Sequence, residues 1–164
     1  MASAYFSVGA NLGDRLRSCR QAIELLAQTA GIRLLSVSSA WETDPQDRED
    51  QPDFINLAAA VETDLAPRQL LQSALAIEQQ MGRERTERWA PRVIDLDLLM
   101  VDGQVIREEG LVLPHERMHL RRFVLAPLAE IAPELRHPIQ GKTVAELLQD
   151  LPADSQPVRR WSES

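Results

Sequence analysis

Val93-Ile94-Asp95-Leu96-Asp97-Leu98-Leu99-Met100 is apolar at nearly every position and carries two carboxylates spaced two apart. In a strand, alternate side chains share a face, so Asp95 and Asp97 point one way while Ile94, Leu96 and Leu98 pack behind them. Carboxylates about 7 Å apart along a strand repel, and they resist desolvation unless something cationic stands between them. A divalent metal and an arginine are the two candidates. Hard oxygen ligands of this kind suit Mg²⁺, which keeps waters and recruits substrate phosphates to complete its octahedron. The alternative is a pair of strand aspartates neutralised by Arg88 or Arg92.

Before this strand the chain reads as two strand–helix–strand units. Residues 4–9 form a strand that stops at Gly9, and Asp14 caps a helix running through Gly31, with Leu16, Cys19, Ile23, Leu26 and Ala30 at helical spacing. Ile32 to Thr43 reads as a second strand and 44–53 as a polar loop. Phe54 to Thr63 is a third strand, with Phe54, Asn56 and Ala58 on one face and Ile55, Leu57 and Ala59 on the other. Asp64 and Pro67 open a helix to Gly82. A polar loop over 83–92 then leads into the fourth strand, Val93 to Val101.

Asp102-Gly103 predicts a hairpin into Gln104–Ile106. Helices follow around Phe123–Ile131 and over Thr143–Leu151, and from Pro152 an extended or frayed tail. This order predicts an α/β (α+β) fold of the ferredoxin-like kind: an antiparallel sheet with helices on both faces, a three-layer sandwich. It is expected as a single domain over 1–151 with a tail over 152–164. The architecture hosts many functions and decides none of them.

The chain has 164 residues, room for one domain with a real core. Acidic residues number 25 against 18 basic, a net charge of −7, so the average field repels phosphate. Such a molecule is a poor general nucleic-acid or anionic-membrane binder, and an anionic ligand would need a local basic cluster. No apolar run approaches the length of a membrane span, and no secretory signal opens the chain, so a soluble, cytoplasmic, monomeric protein is expected. The one cysteine, Cys19, excludes an internal disulfide and reads as a buried, inert thiol.

The basic cluster exists. Arg83, Arg85, Arg88 and Arg92 fall within ten residues, immediately before the acidic strand. Arginine binds phosphate oxygens bidentately and keeps its charge at any relevant pH. Glu84 and Glu87 share the loop, so a solvated, charge-mixed turn is the bland alternative, preferred for Arg85. Acidic strand and basic loop together describe a phosphoryl-transfer site. Trp89, in the middle of the loop, either folds over a ligand or anchors into the core. Phe54, Asn56 and Phe123 together suit a flat heterocycle held by stacking and edge hydrogen bonds. Taken singly, the two phenylalanines are ordinary core residues.

Three short motifs point elsewhere. His115-Glu116-Arg117-Met118-His119 fits H-E-x-x-H, which needs both histidines on one helix face and a third ligand such as His137 or Glu134. Arg117, Arg121 and Arg122 crowd that segment and disfavour a dication. Gly141-Lys142-Thr143 resembles the end of a P-loop, but Arg136 stands where its first glycine belongs, so Thr143 is expected to cap a helix. The Gly9–Gly13 turn lacks dinucleotide-binding glycine spacing.

Arg88-Trp89-Ala90-Pro91-Arg92-Val93-Ile94-Asp95-Leu96-Asp97 resembles the signature of the 6-hydroxymethyl-7,8-dihydropterin pyrophosphokinase family of folate biosynthesis. Further matches are Val8-Gly9-Ala10-Asn11-Leu12-Gly13-Asp14, Asp50-Gln51-Pro52-Asp53-Phe54-Ile55-Asn56, Leu113-Pro114-His115 and Phe123-Val124-Leu125-Ala126-Pro127-Leu128. The resemblance implies transfer of pyrophosphate from ATP to the pterin hydroxymethyl group, releasing AMP. It implies that Asp95 and Asp97 hold two Mg²⁺ ions, and that Arg83 and Arg92 are catalytic, assisting the transferring group. It further implies that Phe54 and Phe123 sandwich the pterin while Asn56 and Thr43 read its edges. Glu78, Arg88, Trp89, His115 and Arg121 are then the expected ATP-binding residues.

Two rival classes use the same residues differently. A two-metal phosphodiesterase or nucleotide cyclase would need the acidic pair and no ring pocket. A ferredoxin-like ligand sensor or RNA-binding module would consume no ATP, and the −7 charge counts against RNA.

Overall fold

The computed structural model describes residues 1–11, 13–43, 53–82 and 94–161. The first strand, β1 (Ala2–Ala10), directs Ala4, Phe6, Val8 and Ala10 into the core, each at most 2% exposed. Helix α1 (Arg15–Ala27) begins as the sequence predicts: the Asp14 carboxylate accepts from the Arg17 backbone N–H at 3.2 Å. It ends four residues before Gly31, because Gln28 closes the last turn and Gly31, at φ +86°, reverses the chain.

The expected strand over 32–43 is two strands, β2 (Ile32–Val37) and β3 (Trp41–Thr43). Both pair antiparallel with the same edge of β4 (Phe54–Thr63), whose bounds match the expectation. The break falls at Ser38, whose hydroxyl accepts from the Ala58 N–H at 2.8 Å, so a side chain replaces a ladder bond. On the far side Ser39 and Trp41 turn toward Glu130. That carboxylate accepts from the Ser39 N–H at 2.7 Å, the Ser39 hydroxyl at 2.9 Å and the Trp41 indole at 3.1 Å.

Helix α2 (Pro67–Met81) has Pro67 at its start and Gly82 as its cap, as read from the sequence. It delivers the chain to β5 (Asp95–Val101), an edge strand beside β1. The main sheet runs β5-β1-β4, then β2 and β3 along β4, with all pairings antiparallel. This is the ferredoxin-like interleaving of two strand–helix–strand units. A register shift between Tyr5 and Phe6 sends both Leu99 and Met100 to the same side of the sheet.

The Asp102-Gly103 expectation is corrected. The chain does turn there, with Asp102 at φ +46° and its carboxylate accepting from the Ser3 N–H at 2.9 Å. The segment that follows does not return along β5; β6 (Ile106–Glu108) pairs instead with β7 (Leu111–Leu113) across Gly110. Beyond them, α3 (Arg122–Ile131) and α4 (Val144–Asp150) pack on the face opposite α1 and α2. The three layers are thus helix, sheet, helix. Thr143 caps α4 through a reciprocal box: its hydroxyl accepts from the Glu146 N–H, and the Glu146 carboxylate accepts from the Thr143 N–H at 2.9 Å.

The expectation of an extended or frayed tail from Pro152 is corrected: the chain turns through 153–156, with Gln156 at φ +50°, and only its end is extended and joins the sheet. Strand β8 (Val158–Arg160) pairs antiparallel with β3, and Trp161 packs against the α1-side core. Among the described residues no helix is long and apolar enough to cross a membrane.

Candidate active site

Alternation along four strands decides which side chains meet. On the α1 and α2 face, Phe6, Val8, Ile55, Leu57, Leu96 and Leu98 fill the core. Their neighbours therefore face the other way, where α3 covers only part of the sheet. The register sets Gly9 opposite both Asn56 and Asp95, Ser7 opposite Asp97, and Thr43 opposite Phe54. These residues, with Arg121 and Phe123 at the start of α3, line a cavity of about 230 Å³. That is room for about eight waters, the space of one flat ring system.

Of the expected site residues, the fold brings together Thr43, Phe54, Asn56, Asp95, Asp97, Arg121 and Phe123. Two lining residues escaped the sequence reading, Ser7 and Gly9. Their signal was present: they alternate with Phe6 and Val8, so they share the carboxylate face once β1 is placed beside β5.

The ring-sized end of the cavity is polar at its floor. Asn56 and Thr43 are buried, and the Asn56 amide donates to the Thr43 hydroxyl at 3.1 Å. The carboxamide passes over Gly9: a Cβ there would stand 2.7 Å from Asn56 Oδ1. Phe123 forms one wall, with the Arg121 guanidinium 5.6 Å from its ring centroid.

His115 borders the carboxylate end. Its backbone N–H donates to the Leu99 carbonyl at 2.8 Å, and its Nδ1 accepts from the Arg117 N–H at 3.4 Å. Burial holds its pKa below the ordinary value and Arg121 adds to that, while Asp97 and Glu116 pull the other way. The imidazole is therefore neutral near pH 7 and carries its proton on Nε2. The segment 115–119 is a turn and a short 3₁₀ helix at Met118–Leu120, so the H-E-x-x-H reading has no helix face to stand on. His119 instead meets His137, with ring centroids 5.6 Å apart.

Glu78 takes a different position from the rest. Its carboxylate accepts from the Leu96 N–H at 3.0 Å, which caps the outer edge of β5 from α2. It is absent from the cavity lining. Arg83, Arg85, Arg88, Trp89 and Arg92 lie outside the described residues, as do Val93 and the loop 44–52.

Two strand carboxylates on one face of an open cavity are a hard-oxygen donor set, and they fit a divalent cation of the Mg²⁺ type. Among the described residues no group of three His, Cys, Asp or Glu side chains could hold a metal.

Fold and site together define a ferredoxin-like α/β protein with a ring-sized polar cavity beside paired carboxylates. The chain belongs to the 7,8-dihydro-6-hydroxymethylpterin-pyrophosphokinase family, whose model matches residues 5–133. It is 46% identical over 151 residues to a 2-amino-4-hydroxy-6-hydroxymethyldihydropteridine pyrophosphokinase of Methylorubrum extorquens, covering 92% of this chain and 94% of that one. It is 43% identical over 160 residues to the Bacillus subtilis protein of the same name, covering 98% and 90%. Among solved structures, a Plasmodium falciparum HPPK-DHPS matches with TM-score 0.74 at 18% identity, over 90% of this chain and 44% of that one. This last likeness bears on the fold alone.

Proposed function

We propose that this protein transfers a pyrophosphoryl group from ATP to the hydroxymethyl group of 6-hydroxymethyl-7,8-dihydropterin, a step in folate biosynthesis. The hydroxymethyl oxygen attacks the β-phosphorus of ATP. The bond from that phosphorus to the α,β-bridging oxygen breaks, AMP leaves and the hydroxyl proton is lost. The single observation that supports this most is the meeting of a ring-sized polar cleft with two carboxylates in one cavity. Family membership points the same way.

In this reading Phe54 and Phe123 stack on the two faces of the pterin, while Asn56 and Thr43 match its hydrogen-bonding edge. A pterin presents alternating donors and acceptors along one side, and a buried amide–hydroxyl pair rejects rings lacking that pattern. Asp95 and Asp97 would hold two Mg²⁺ ions. Bound there, the metal would supply charge neutralisation for the ATP phosphates.

Neutral His115 donates through Nε2 to the nucleotide, and Arg121 adds a fixed positive charge at the same rim. Arg83 and Arg92 are assigned to the transferring group, where added charge is worth most in the transition state. Glu78, Arg88 and Trp89 are assigned to ATP, with Glu78 acting from its place at the β5 edge.

Product analysis with purified protein, ATP, Mg²⁺ and the dihydropterin tests this. AMP and a pterin diphosphate in equal amounts, abolished by chelator, is the expected result. ADP would mean simple phosphoryl transfer. Loss of nucleotide that does not depend on pterin would favour the phosphodiesterase class instead.

A further inference from the structure

The two walls of the cavity belong to different parts of the fold. Thr43 and Phe54 sit at the adjoining ends of β3 and β4, whereas Arg121 and Phe123 open α3. Segment 152–161 touches both. At one end the Gln156 side chain accepts from the Arg122 N–H at 3.0 Å and donates to the Leu120 carbonyl at 2.9 Å, bracketing Arg121. Arg122 in turn donates to the Pro152 and Ser155 carbonyls.

At the other end Arg159 grips the far side of the sheet. Its guanidinium donates to Glu42 Oε1 at 2.9 Å and to Asp53 Oδ2 at 2.7 Å. Glu42 precedes Thr43 and Asp53 precedes Phe54, so alternation puts the clamp behind the rung whose front faces the cavity. Arg15 completes it from α1, donating to Glu42 Oε2 at 3.0 Å and to the Asp53 carbonyl at 2.7 Å. The Glu42 side chain is 15% exposed, so these charge-assisted bonds lie partly out of water, where they hold geometry better than a solvated pair.

We infer that segment 152–161 is a strap that sets the spacing of the two cavity walls, with Arg159 and Gln156 as positioning residues for the ring substrate. Neither side chain lines the cavity. Each acts through the backbone that carries Thr43 and Phe54 or Arg121 and Phe123. The assignment of the ring as a dihydropterin rests on the proposed function; the strap itself does not.

The test uses Arg159→Ala and Gln156→Ala in the full chain, with Arg159→Lys as the conservative variant. Hydrogen exchange reads the strap directly. In Arg159→Ala, amides over Glu42–Thr43 and Phe54–Asn56 are expected to exchange at least about tenfold faster, while those of Ala4–Val8 keep their rates. Steady-state kinetics read the consequence. KM for the dihydropterin is expected to rise about tenfold in both alanine variants, with kcat within about twofold; the ATP KM stays within about twofold in Arg159→Ala, and Arg159→Lys recovers part of the loss. A lower melting temperature with unchanged exchange at 42–43 and 54–56 and unchanged pterin KM would reduce the strap to general stabilisation and overturn the inference. Should the wild-type chain consume no dihydropterin, the proposed function fails, and exchange alone decides for or against the strap.

Discussion

Gly9 and Asn56 face each other across β1 and β4 so closely that a Cβ at position 9 would lie 2.7 Å from Asn56 Oδ1. The amide has little freedom to yield, being buried and bonded through Nδ2 to the Thr43 hydroxyl at 3.1 Å. Gly9→Ala is therefore expected to displace the carboxamide from the cavity floor. The dihydropterin Kd should rise about tenfold, against a stability loss of about 1–2 kcal/mol from overpacking. Titration calorimetry beside thermal melts checks both; unchanged affinity would mean that Asn56 does not read the ring.

Asp95 and Asp97 share a face of β5, and the Asp97 charge is felt at His115. Asp95→Asn and Asp97→Asn are expected to lower turnover about 10³-fold and to remove its dependence on Mg²⁺. The melting temperature should stay within about 2 °C of wild type. A variant retaining full, Mg²⁺-dependent turnover would refute the metal assignment.

Cys19 is fully buried in α1, and its thiol donates to the Ile55 carbonyl at 3.6 Å. Burial pushes its pKa up to about 12, against the opposing pull of Arg15. At pH 8 only about one thiol in 10⁴ is then a thiolate, so a disulfide reagent should label the protein only at its unfolding rate. Rapid labelling of the native chain would contradict the packing of α1 on β4.

Legibility in the sequence followed the range of the cause. Strand β4, the Asp14 and Thr143 caps and the Pro67 start are local patterns, and each stands where the residues put it. The face shared by Asp95 and Asp97 needed only period-two alternation. The split at Ser38 did not show, because it depends on Glu130, 91 positions from Ser39, gathering the departing segment. The Asp102-Gly103 turn was visible, but the partner of the strand after it was not, since β7 competes with β5 for that pairing. Gly9 and Ser7 became site residues only once β1 lay between β4 and β5. The same holds for β8, whose Arg159 is a clamp only because Glu42 and Asp53 converge on it from positions 117 and 106 residues away.

His137 supplies a pH dependence apart from the chemistry. It is 2% exposed, and its Nδ1 accepts from the backbone N–H groups of Ile139 at 3.2 Å and Gln140 at 3.0 Å. Those bonds require Nδ1 to be bare, so a second proton would break them. Burial holds its pKa below the ordinary value, and the neighbouring His119 pushes the same way. The unfolded histidine titrates near pH 6.5, so below that pH the unfolded chain binds more protons than the folded one. Stability from this group is complete above about pH 6.5 and is lost as pH falls toward the lower folded value. His137→Asn keeps an acceptor near the Nδ1 position and removes the titration. Denaturant melts between pH 5 and 7 should show wild type losing stability toward acid and His137→Asn losing less. Parallel curves for the two proteins would show that His137 is not the group responsible.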